Sequence, residues 1–124
     1  MNEIACRSLG TPRAVLIEAH GRIQGLVSQE LRDVVWHQGY HGTQWMVFDL
    51  RHATALDSMA LGALLLARSL CARHQGQAVL LGLSPPLITL LEALGLRDLF
   101  MLAEDMRHGL DALHRLGVSA EADA

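Results

Sequence analysis

The chain of 124 residues contains no lysine; its ten cationic side chains are all arginine. That absence excludes Schiff-base chemistry and any phosphate-binding loop built on a lysine. The arginines are scattered from Arg7 to Arg115 without forming a run, and 13 acidic residues leave a net charge of −3. A nucleic-acid binder would present a basic face to phosphates, so no nucleic-acid partner is expected. Cysteine is scarce too. Cys6 and Cys71 lie far apart, without the spacing of metal ligands, and a reducing cytosol is their simplest setting. The start, "MNEIACRSLG", lacks the basic residues and apolar core of a signal peptide. The most apolar segment, Met59 to Leu70, is too short to span a bilayer and is interrupted by Arg68. The expectation is a soluble cytoplasmic protein with no direct membrane insertion.

What is present suits a globular domain. The chain is 51% hydrophobic and 19% charged, and its length points to one domain with one core. A chain of this size buries about two-thirds of its unfolded surface, so it needs no metal or staple for stability. "EIACRSLG" reads as a weak edge strand, and "RAVLIEAHG" (Arg13–Gly21) as a stronger strand running into a turn. From Leu26 the apolar residues Leu26, Leu31, Val34 and Val35 fall at helical spacing, and the glycines of Gly39–Gln44 end that helix in a loop. Trp45–Leu50 and Ala78–Leu83 are dense apolar runs of buried-strand length. Between them a helix is expected from Ser58 to about His74.

"SPP" at Ser84–Pro86 starts a further helix, with Ser84 as N-cap and prolines where a missing N–H is tolerated. That helix ends near Gly95, Leu99–Ala103 forms a short strand, and Met106, Leu110 and Leu113 mark one face of a final helix. Glu104 and Asp105 favour its start through the helix dipole. The resulting order is β-β-α-β-α-β-α-β-α: a mixed sheet of four to five strands packed with about four helices. One domain over 1–117 and a disordered tail over 118–124 are expected. In such α/β sheets sites favour the strand C-terminal ends.

Asp57-Ser58 lies at such an end, between a strand and a leucine-rich helix. Its plain reading is a helix cap, because the first N–H groups of a helix lack partners and its dipole favours negative charge there. A phosphate on Ser58 would use the same donors while adding about −1.5 to −2 of charge, so an accessible serine here also suits a phospho-switch. Spacing alone favours the plain cap. Other chemistry finds no constellation. Ser58 lacks the glycine pattern of a nucleophile elbow. His37 and His41 are separated by Gly39, which argues against one helix face, and His108 and His114 are six apart on different faces. Neither a metal nor another cofactor is expected, and no residue is assigned to catalysis. His52 precedes the Asp57-Ser58 turn, where it would contact a phosphate or lie in solvent. Trp36 and Trp45 read as core or hinge packing.

The stretch "VFDLRHATALDSMALGALLLARSL", with "GQAVLLGLSPPLITLLEALGLRDLF" downstream, resembles the STAS domain family of anti-sigma factor antagonists. Val47, Asp49, Leu50, Asp57, Ser58, Leu61, Gly62 and Leu64 fit its pattern, and the likeness extends from about Arg13 to Ala103. The resemblance implies a binding switch rather than an enzyme. Unphosphorylated, such a domain binds an anti-sigma factor, often a serine kinase of the histidine-kinase-like ATPase fold, and so frees a sigma factor. The kinase modifies the serine after the aspartate, here Ser58, and a serine phosphatase resets it. The implied contact surface is Asp57, Ser58, Met59, Ala60, Leu61, Gly62, Gln24 and Arg51. Two positions depart from the pattern: Gln24 stands where the family usually carries an acid, and Met59-Ala60 replaces a pair of small residues. Met59 then either adds an apolar contact to the surface or packs inward. The resemblance also implies a rival role, as a cytoplasmic accessory subunit of a phospholipid-transport ABC complex that needs no phosphorylation.

Overall fold

A computed structural model describes residues 3–11 and 13–115; the expected tail at 118–124 lies outside them. The main sheet has five strands: β1 (Ile4–Thr11), β2 (Ala14–Ala19), β4 (Trp45–Asp49), β6 (Gln77–Leu81) and β7 (Met101–Ala103), in spatial order β1-β2-β4-β6-β7. β1 is an antiparallel edge and the other neighbours run parallel. Four helices complete the architecture: α1 (Leu26–Tyr40), α2 (Ser58–Ala72), α3 (Pro85–Ala93) and α4 (Met106–Arg115). The expected order of strands and helices is therefore present, with one addition. Two short strands, β3 (Gly21–Ile23) and β5 (Ala53–Leu56), pair in parallel as a separate ribbon, and a single 3₁₀ turn spans Arg97–Leu99.

β4 is buried along its whole length, which explains the apolar run over 45–48 that precedes Asp49. Met46 and Phe48 face a larger core shared with Leu31 and Val35 of α1, Leu64 and Ala67 of α2, and Leu87 and Leu91 of α3. Trp45 and Val47 point the other way, into a smaller core closed by Leu113 of α4, with Met106 and Leu110 packed against it. The predicted inner face of the last helix is thus the real one. At its start Asp105 Oδ1 accepts the His108 N–H at 2.9 Å, as an acidic residue there should.

Several local expectations need correction. Gly39 does not end α1, which runs on to Tyr40. A Cβ at Gly39 would sit 2.3 Å from Leu70 Cδ1, so this glycine allows close packing against α2 rather than a turn. His37 and His41 consequently share one helix end, with ring centroids 4.5 Å apart. Leu26, expected on the inner face, is 84% exposed, and the buried positions of α1 are Ser28, Leu31 and Val35. Trp45 is buried whereas Trp36 is half exposed. Ser84 is the N-cap of α3 as expected, but its side chain makes no cap bond; its carbonyl accepts the Leu87 and Ile88 N–H groups at 3.0 Å, and the prolines bring no N–H that needs a partner. No helix among the described residues is long and apolar enough to cross a membrane.

Candidate functional site

The ribbon β3–β5 explains how the Asp57-Ser58 turn is held. The segment leaving β4 is not a free loop. The Gly21 N–H donates to His52 O at 2.8 Å, and the Asp57 N–H donates to Ile23 O at 3.1 Å. These bonds bring the end of β5 beside the Gln24-Gly25 turn that opens α1. Both strands are too short to leave a periodic signal in sequence, and their pairing partner is some 30 residues away.

Asp57, not Ser58, is the N-cap of α2. Its backbone is extended and its Oδ1 accepts the Ala60 N–H at 2.8 Å. The same carboxylate reaches across to α1, where Oδ1 accepts the Ser28 hydroxyl at 2.6 Å and Oδ2 accepts the Gly25 N–H at 2.9 Å. The Ser28 bond, followed by those from Ala60 and Gly25, holds the Asp57 carboxyl below its usual range. Ser58 is then the first residue of α2 and is exposed. Freed from capping, its side chain stands on an accessible helix N-terminus.

Around it lie Gln24, Gly25 and Leu26 from the start of α1 and Met59 and Gly62 from α2, all exposed. Of the two options for Met59, the structure takes the outward one, at 41% exposure. Ala60 departs from its expected place: its methyl is fully buried in the core, and only its N–H takes part in the turn. Leu61 is half-buried against the same core. Arg51 is engaged elsewhere. Its Nε and Nη2 donate to the two oxygens of buried Asp49 at 2.9 and 2.8 Å, and its own N–H also bonds Asp49 Oδ1. Burial raises the Asp49 pKa, but the bonds from Arg51 outweigh it and hold the carboxyl below its usual range. His52 is exposed beside His20, with ring centroids 5.4 Å apart. Among the described residues no group of three or more His, Cys, Asp or Glu is arranged to hold a metal ion.

The sequence reading missed Ser28 and Gly25. Ser28 looked like one more polar residue on an amphipathic helix, yet it is completely buried. Its only legible signal was a serine on the stripe set by Leu31 and Val35.

The family model described as "STAS domain" matches residues 7–109. The chain belongs to the STAS domain family. Its fold is similar to that of the anti-sigma factor antagonist SpoIIAA in its unphosphorylated form, with a TM-score of 0.80 and 17% identity over 94% of this chain and 98% of that one. The phosphorylated form of SpoIIAA, a Bacillus cell fate determinant, gives a TM-score of 0.73 at 17% identity, covering 89% of this chain and 98% of that one. A sulfate transporter family protein from Wolinella succinogenes is also similar, with a TM-score of 0.71 at 17% identity and coverages of 82% and 85%. No curated protein matches the chain in sequence. At these identities the solved structures speak for the STAS fold, which accounts for the mixed five-stranded sheet and the four helices.

Proposed function

We propose that this STAS domain is an anti-sigma factor antagonist controlled by phosphorylation at Ser58. With Ser58 free, the face formed by Gln24, Asp57, Ser58, Met59 and Gly62 docks on an anti-sigma factor that is itself a serine kinase of the histidine-kinase-like ATPase fold. Phosphorylation of Ser58 releases the complex and a serine phosphatase restores it. The protein works in the cytoplasm by binding, without catalysis. One observation carries this reading: Asp57 has taken over the capping of α2, leaving the Ser58 hydroxyl on the first turn exposed and without a capping duty.

The physical consequence of modification supports a release step. A phosphate on Ser58 would stand next to a carboxylate that already occupies the Gly25 and Ala60 N–H groups. The added charge has to be desolvated at any close interface and is repelled by Asp57. A loss of about 3 kcal/mol lowers affinity more than a hundredfold. Met59 and Leu26, at the starts of α2 and α1, are exposed apolar side chains. The second reading, the transporter accessory subunit, draws on Gln24, which leaves this face without the usual acid, and on the transporter-family protein that shares the fold.

Cleavage after Arg51 and Arg68 releases "HATALDSMALGALLLAR", whose only hydroxyl residues are Thr54 and Ser58. Mass spectrometry of this peptide from the native host is expected to place phosphate on Ser58. An unmodified peptide under all growth conditions would favour the accessory role instead.

A further inference from the structure

One carboxylate serves the starts of two helices. α1 has Gly25 as its N-cap, which has no side chain to offer, and no side-chain cap bond of its own. In the usual capping box the third residue of a helix reaches back to the N–H of its cap. Here the third residue is Ser28, whose side chain is too short for that and is directed to Asp57 instead, while Asp57 accepts the Gly25 N–H. The carboxylate therefore completes the box of α1 from outside while capping α2 through Ala60. Two positive helix ends converge on it. Ser28 is fully buried, so its hydroxyl has no water to exchange with and its bond to Asp57 is held in place by the core.

We propose that Ser28 is the positioning residue of the Ser58 turn: by fixing Asp57 between the two helix starts it makes Gln24-Gly25 and Ser58 move as one unit, so that charge added at Ser58 is felt at the start of α1. This rests on the reading of Ser58 as the switch, but the coupling can be measured without any partner. If the Ser58 peptide is never phosphorylated, the switch fails while the coupling still stands or falls on the result below. The arrangement explains how a face built from two segments more than 30 residues apart responds to a single modification (Gln24 to Ser58). Without the latch, Ser58 could change charge while Gln24 and Leu26 kept their positions.

The test is an NMR comparison on the full chain. Ser58→Glu is introduced into the parent, into Ser28→Ala and into Ser28→Thr, and the amide resonances of Gln24 and Gly25 are followed. In the parent the substitution should displace both resonances. The displacement should fall by at least half with Ser28→Ala and return with Ser28→Thr, which keeps the hydroxyl. Equal displacements with and without the hydroxyl, or none in the parent, would overturn the proposal. A merely structural role for Ser28 would lower the melting temperature yet leave the response at Gly25 unchanged. Should Ser28→Ala not fold, acid titration of the parent decides: Gly25 and Ala60 should shift with one common midpoint, and separate midpoints would refute the shared carboxylate.

Discussion

The starts of α2 and α3 show two ways of beginning a helix after a parallel strand. One follows the half-buried β5 and the other the buried β6, and both carry serine beside the helix start: Asp57-Ser58 in one, Ser84-Pro85-Pro86 in the other. At α3 the solution is local. The prolines bring no N–H that needs a partner, and Ser84 leaves its side chain out of the cap. At α2 the solution is long-range. Asp57 caps the helix and also binds Gly25 and Ser28, 32 and 29 residues away. The first start is a stop-and-go signal in the chain. The second is a joint between two parts of the fold, which makes it a place where a surface change can be transmitted.

Substitutions should separate the two. The largest effect is expected from Asp57→Ala, which removes the cap of α2 and leaves the buried Ser28 hydroxyl unpaired. The cost should be about 3 kcal/mol, read from urea denaturation. Next comes acid. Because the folded-state pKa of Asp57 is depressed, its contribution is present above its unfolded value of about 3.9 and is lost as pH falls through the folded value. Melting temperature should therefore drop below about pH 4, and the drop should be smaller in Asp57→Asn. Gly25→Ala should cost about 2 kcal/mol through backbone strain alone, since φ is +59° and ψ −123° there while a Cβ would meet nothing within 4 Å. The smallest effect belongs to Ser84→Ala, within about 0.5 kcal/mol, because no side-chain bond is lost. A cost for Ser84→Ala equal to that of Asp57→Ala would erase the distinction between the two starts.

Much of the fold was legible because burial imposes periodicity. β4 is apolar from Trp45 to Phe48 since both its faces are covered, and α4 shows its inner stripe in Met106, Leu110 and Leu113 because only one side is covered. The ribbon β3–β5 was not legible. Three- and four-residue strands with one or two inward side chains carry too little pattern, although Ile23, Ala53 and Leu56 reach the core and the strands pair with each other. Glycine misled for a related reason. At Gly39 the residue serves the approach of Leu70, a neighbour that appears only after α1 and α2 pack.

The site divides the same way. Asp57, Ser58 and Met59 stood out because they lie in a motif that reads along the chain, and Gln24 because it departs from the family pattern. Arg51 lies in that motif too, but Asp49 holds it in a two-pronged ion pair, a competition that no linear pattern reports. Ala60 follows Ser58 directly, yet the turn of α2 carries its methyl into the core.

Composition and hydrophobic spacing by themselves determined the class of this protein, an α/β domain; the candidate switch came from the resemblance of its motif. They did so because burying apolar surface needs only the right residues at the right period. The cap of α2 is a local bond, from the Ala60 N–H to Asp57, but that the same carboxylate joins α1 to α2 was decided by the tertiary structure alone. Hydrogen bonds are directional and short, so their partners are fixed only when distant segments are brought within about 3 Å of one another.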